Sequence, residues 1–146
     1  MKAHLIGGAG LMAGLLLSGC QKSEQGEVTY TDPYVKETIA NNTSTAGYIT
    51  LVNNKTSDIQ LIAVSVAPDV AAKAELHGHK MEGDIMKMHE VASLDLPSGT
   101  PVKLEPGGYH VMLMGLKQPL IPASEVNVTF QFSDGESLNV AMPVKK

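Results

Sequence analysis

Val126-Asn127-Val128-Thr129-Phe130-Gln131-Phe132 alternates apolar and polar residues at every step. Successive side chains of an extended chain point to opposite faces, so Val126, Val128, Phe130 and Phe132 share one face and Asn127, Thr129 and Gln131 the other. Such a strand buries one side and wets the other, as in an antiparallel sheet over a core. Outward from this stretch, short runs rich in β-branched and aromatic residues alternate with turn signals, at all-β spacing. The pattern predicts strands over Val28–Tyr30, Gly47–Val52, Ile59–Val66, Ala74–His79, Met86–Val91, Pro101–Leu104, Tyr109–Met114, Val126–Phe132 and Leu138–Met142. Breaks fall at Asn53-Asn54, Pro68-Asp69, Gly83-Asp84, Pro97-Ser98-Gly99, Pro106-Gly107-Gly108 and Ser133-Asp134-Gly135. No long helical periodicity, internal repeat or low-complexity tract is present. The expected fold class is all-β, an antiparallel sandwich or small Greek-key barrel.

The 146 residues suffice for one domain with a sizeable core. A charged fraction of 18% and a net charge of −4 argue against disorder and against nucleic acid as a partner. All eleven basic residues are lysine, which removes the usual tool for bidentate phosphate or carboxylate recognition. At the N-terminus, Met1-Lys2-Ala3-His4 precedes an apolar run from Leu5 to Leu17 that carries four glycines and is short for a bilayer span. It reads as the hydrophobic region of a signal peptide. The run ends in Leu17-Ser18-Gly19-Cys20, which resembles the lipobox of bacterial lipoproteins, with the chain's single cysteine in the acylated position. The expectation is a signal peptide over 1–19, a lipidated Cys20 and polar tether over 20–27, and a β domain over 28–146. By analogy with enteric lipoproteins, Gln21 after the cysteine favours the outer membrane, with the domain on the periplasmic side. A lone cysteine excludes an intramolecular disulfide.

Within the domain every histidine, and all but one of the methionines, lies between His77 and Met114. On Tyr109–Met114, period two puts Tyr109, Val111 and Leu113 on one face, which looks like core, and His110, Met112 and Met114 on the other. Residues two apart on a strand are roughly 6.5–7 Å apart, close enough for an imidazole and a thioether to converge on one ion. His77, His79 and Met81 form a second such group, and Met86 with Met88 a third. A hairpin at Gly83-Asp84 would bring His77 and Met88 towards each other, and a third strand would supply His110 and Met112. Nitrogen and thioether donors without cysteine suit copper(I), a soft ion. Zinc would want cysteine, histidine or carboxylate, and calcium or magnesium would want oxygen. Packing is the alternative for single methionines. Met142, in phase with Leu138 and Val140, reads as core; Met86 and Met114 read as core or support, and His89 as surface.

At these residues the sequence resembles the periplasmic copper chaperones of the PCu(A)C type. Their pattern is a histidine, ten residues, a methionine, twenty-one residues, then histidine-x-methionine, and His77, Met88, His110 and Met112 reproduce it. Ala74-Glu75-Leu76-His77, Ile85-Met86-Lys87-Met88 and the stretch from Leu104 to Lys117 look like the family's signature segments. The resemblance implies a cupredoxin-like β-sandwich that holds one Cu(I) per chain through His77, Met88, His110 and Met112. It also implies delivery outside the cytoplasm to a copper-accepting protein such as cytochrome c oxidase or its assembly factors. The chain departs from the family at Gly78, where some members have methionine, and at His89, where arginine is common. It also ends without the His/Met-rich tail that lets some members hold copper(II). His79 and Met81 are possible auxiliary ligands.

The sequence offers no nucleophile–base spacing and no hydrolytic metal motif, so a carrier is expected rather than an enzyme. A copper-sequestering or resistance lipoprotein without a dedicated acceptor is the alternative. A blue-copper electron-transfer protein would need a cysteine thiolate beside two histidines, which the mature chain lacks.

Overall fold

A computed structural model describes residues 26–146, so the expected signal peptide, Cys20 and most of the expected tether lie outside the described residues. The described residues form ten strands and no helix: β1 Val28–Lys36, β2 Ser44–Asn53, β3 Ile59–Val66, β4 Ala71–Glu82, β5 Ile85–Glu90, β6 Leu94–Leu96, β7 Pro101–Leu104, β8 His110–Leu116, β9 Glu125–Phe132 and β10 Ser137–Lys145. The alternating stretch becomes β9, and its four apolar side chains are all buried.

The strands make two layers. One runs β5-β4-β8-β2-β1, with β7 also on β2; the other runs β10-β9-β3-β6. Pairing between the named strands is antiparallel except where β1 meets β10, at Val35↔Val144 and Lys36↔Lys145, and this parallel contact joins the layers. Val111 and Leu113 from the first layer and Val128, Phe130 and Val140 from the second belong to one buried cluster. Each such side chain contributes on the order of 1.5–3 kcal/mol by leaving water. Met142 is in this core at 0% exposure, as its phase predicts.

Two local features position the site. β8 and β7 lie along the same edge of β2, opposite Ser44–Gly47 and Ile49–Val52 respectively. Between them Glu105–Tyr109 leaves the ladder as a short excursion, closed by the Glu105 N–H donating to the Tyr109 carbonyl at 2.8 Å. Pro106-Gly107-Gly108 therefore breaks pairing without changing the strand's direction. The second feature is the β4–β5 hairpin. Gly83, with φ +64°, occupies the first of two turn positions, where a type II′ turn places glycine. Beyond His79 this hairpin runs off the core, and every residue of β5 is exposed.

Far from the hairpin, Asn53 is buried with its amide satisfied. Its Nδ2 donates to the carbonyls of Ser57 and Leu96, both at 2.9 Å, and its Oδ1 accepts from the Lys55 N–H at 3.0 Å. Lys55, 4% exposed, donates to Asp134 and to Glu136, the latter at 2.5 Å. Burial alone would lower the Lys55 pKa, but the hydrogen bonds and charges of the two carboxylates outweigh it and raise it.

Candidate metal centre

Leu76 on β4 pairs with Val111 on β8, and both face the core. By alternation the next rung, His77↔His110, faces outward, as does Glu75↔Met112. On the other edge of β4 the pairs His79↔Met88 and Met81↔Met86 share this outward face. Three adjacent strands, β5, β4 and β8, thus present the soft donors together. The hairpin and third strand expected from the sequence are both found. The register differs in one detail: Met88 is directly opposite His79, while His77 is opposite Glu90. Met88 reaches His77 only along the diagonal, roughly 7–8 Å between backbone positions, a distance long side chains can span.

His110 lies at the bottom of the cluster, 2% exposed, beneath His77, His79 and Tyr48. Its ring centroid is 5.4 Å from that of His79, 5.9 Å from that of His77 and 6.4 Å from that of Tyr48. Tyr34 packs against Tyr48 in a tilted arrangement, with ring centroids 5.2 Å apart. The excursion before β8 sets the His110 ring: its Nδ1 lies 3.0 Å from the Gly108 carbonyl. A carbonyl only accepts, so Nδ1 carries the proton and Nε2 keeps its lone pair. Burial pushes the His110 pKa down; the Gly108 hydrogen bond opposes this, and the nearby His79 and His77 reinforce it. The neutral, lone-pair-bearing form is therefore favoured.

His77 is set by a different partner. Its Nε2 lies 2.8 Å from the Glu75 carboxylate, two residues back on the same strand face. A carboxylate acceptor fixes the proton on Nε2 and leaves Nδ1 as the donor atom. Both free atoms, His77 Nδ1 and His110 Nε2, are buried and have no hydrogen-bond partner. A buried polar atom left unpaired costs about 1–3 kcal/mol, so a folded protein seldom tolerates two as neighbours without a ligand for them. A histidine whose other nitrogen is held by a carboxylate or a carbonyl is the usual arrangement of a metal-binding imidazole.

Met112 is half-buried between Glu75 on β4 and Ala46 on β2. Met88 is 47% exposed on the edge strand. Met81 lies one rung nearer the hairpin tip, opposite Met86. Met86 is exposed and does not pack in the core, because β5 lies off it. Met114 is half-buried between Lys73 and Ser44, and His89 is exposed opposite Gly78. Gly78 is itself explained: a Cβ there would meet the Tyr109 ring and the Val91 side chain at 3.1 Å. Among the described residues no three histidine, cysteine, aspartate or glutamate side chains are arranged to hold a metal ion. The soft donors standing beside the two imidazoles are thioethers.

Sequence reasoning missed Glu75, the Gly108 carbonyl and the Tyr34–Tyr48 backing. Only Glu75 left a signal, its two-residue spacing from His77.

The profile of the family described as "Putative lipoprotein LpqE-like" matches residues 28–144. "Putative lipoprotein Lxx21020" of Leifsonia xyli subsp. xyli is 40% identical over 85 residues, which are 58% of this chain and 51% of that protein. The chain spans only 51% and 60% of the length of the two curated relatives it matches. Among solved structures, apo-DR1885 of Deinococcus radiodurans is 34% identical with a TM-score of 0.61, covering 100% of this chain and 94% of its own; its Cu(I) form has also been solved. The apo PCuAC domain from PmoF1 is 21% identical with a TM-score of 0.69, covering 82% and 94%, and supports the fold alone. The layered β architecture is thus that of the cupredoxin-like PCuAC domains, and by the match over residues 28–144 the chain belongs to the LpqE-like lipoprotein family.

Proposed function

We propose that this protein binds one copper(I) ion tightly on the outward face of β4, β5 and β8 and passes it to a copper-accepting protein. The observation that carries this reading is the pair of buried, unpartnered ring nitrogens, His77 Nδ1 and His110 Nε2, on adjacent strands. Met112 and Met88 supply the thioethers. The solved Cu(I) form of DR1885, 33% identical to this chain, supports copper as the cargo. All four ligands are neutral, so binding needs no charged donor and the site keeps the single charge of the ion. The Glu75 carboxylate behind His77 offsets part of that charge and holds the ring's tautomer and orientation.

The ligands differ in access. His110 is buried at the bottom of the cluster, whereas Met88 is on the exposed edge strand. Release then begins at Met88, where an acceptor's thiolate can enter as the thioether leaves. Copper remains +1 and no proton moves, so transfer is a ligand exchange and not catalysis. The likeness to copper chaperones suggests the copper site of cytochrome c oxidase as the destination. The family's lipoprotein designation and the Cys20 lipobox support a lipid anchor outside the cytoplasm, with Gln21 favouring the outer membrane.

The test is an anaerobic Cu(I) titration against a competing chelator, comparing wild type with His110→Ala. Wild type is expected to take up one tight equivalent, and the variant to bind at least about a hundredfold more weakly. Equal binding by the two, or no tight equivalent in wild type, would remove the reading. Deleting the gene and measuring oxidase activity at limiting copper tests the destination. Unchanged activity with greater sensitivity to excess copper would indicate sequestration instead.

A further inference from the structure

The β4–β5 hairpin holds more thioethers than the four-ligand site uses. Met81, Met86 and Met88 are 56%, 57% and 47% exposed, on one face of an edge hairpin. The opposite face carries Lys80, Glu82, Ile85 and Lys87, with Lys87 and Glu82 paired at 2.7 Å. Methionine normally fills irregular interior space, as Met142 does here. At the hairpin tip there is no interior to fill. Three half-solvated thioethers on one face give little burial and expose sulfur to oxidation. Their geometry is nonetheless ordered. Met81↔Met86 and His79↔Met88 are direct cross-strand pairs, so each pair stands about 4.5–5.5 Å apart at Cβ, and the two rungs are separated by roughly 6.5–7 Å. The His79 ring then lies 5.4 Å from the ring of His110. Soft donors therefore run without a gap from the solvent-exposed tip to the bottom of the cluster.

We propose that Met81 and Met86, with His79 as third donor, form a second and weaker copper(I) station through which the ion reaches and leaves the tight site. The proposal rests on copper(I) being the cargo. Two flexible thioethers on facing strands can close on one soft ion, and being neutral they bind without releasing a proton. Handover is a ligand exchange: bonds to the sulfurs of Met81 and Met86 and to the His79 ring break as bonds to Met88, His77, His110 and Met112 form, with copper +1 throughout. Exposure matches the role, because a station that must exchange with a partner has to be reachable and weak.

The test is an anaerobic Cu(I) titration of the full domain, wild type against Met81→Leu/Met86→Leu, with the methionine ε-methyl groups followed by NMR. Leucine keeps volume and apolarity, so a packing or protein-docking role would survive the change while sulfur coordination would not. Wild type is expected to bind a second equivalent at least about tenfold more weakly than the first, with the Met81 and Met86 methyl signals moving in that second step. The double variant is expected to lose the second equivalent while its first changes by less than about twofold. A single tight equivalent in wild type with no weaker one, or a second equivalent undiminished in the variant, overturns the proposal. Absence of the tight first equivalent with the weaker one retained would instead overturn the four-ligand site and leave the hairpin station standing.

Discussion

Around Lys55 and around His110 the sandwich buries polar side chains, and the two places resolve their hydrogen bonding in opposite ways. Lys55 meets two carboxylates, and the neighbouring Asn53 amide is satisfied on both its oxygen and its nitrogen. Nothing there is left to bind a ligand, and the group ties the β2–β3 connection to the β9–β10 turn and to β6. Around His110 the supporting nitrogens are just as firmly held, by Glu75 and by the Gly108 carbonyl, yet the other nitrogen of each ring has no partner. A closed network is a device for holding the fold. A half-closed one, with its supports in place and its free atoms adjacent, is built for something that arrives later.

Four experiments break or sharpen this contrast. The largest effect should follow His110→Leu: copper affinity falls at least about a hundredfold, while stability to urea changes by less than about 1 kcal/mol, because an unsatisfied atom is replaced by an apolar group. A large stability loss would mean that His110 is structural, like Lys55. Lys55→Ala should do the reverse. It should cost about 2 kcal/mol of stability, less than a fully buried pair because Asp134 and Glu136 reach solvent, with copper binding unchanged. Glu75→Gln should weaken copper binding about tenfold by loosening the tautomer and orientation of the His77 ring, with the circular dichroism spectrum preserved.

The smallest effect concerns acid. The Lys55 hydrogen bond, opposed by burial and helped by nearby backbone groups, holds the Asp134 pKa below its ordinary 3.8. A depressed folded-state pKa means that the stabilisation is complete above the unfolded value and is lost as pH falls through the folded one. Asp134→Asn should therefore flatten the pH dependence of stability below about pH 4, by no more than about 1 kcal/mol. A wild-type curve already flat in that range would show that the pair contributes nothing.

Most of the architecture could be read from period and turn chemistry. Val126–Phe132, Ile59–Val66 and Pro101–Leu104 announce their strands by alternation or by flanking breaks. Leu94–Leu96 was missed because three residues carry too little pattern to stand out from a loop. The parallel contact of β1 with β10 was illegible for another reason: it joins residues about a hundred positions apart and leaves no local mark. The candidate site divides the same way. The resemblance to the copper chaperones named His77, Met88, His110 and Met112 as the donor set, and strand phase put His110 and Met112 on the face opposite the core. Register decided the rest. Only the observed pairing shows His79, and not His77, directly opposite Met88, and only the Glu105–Tyr109 excursion brings the Gly108 carbonyl to His110.

The central claim is that two particular atoms, His77 Nδ1 and His110 Nε2, hold the ion. Nitrogen-15 NMR of the imidazole rings, recorded before and after one equivalent of Cu(I) under anaerobic conditions, tests it directly. The account requires large shifts at His77 Nδ1 and at His110 Nε2, with His77 Nε2 and His110 Nδ1 remaining protonated. Coordination through the opposite nitrogen of either ring, or no change at His110, would contradict it.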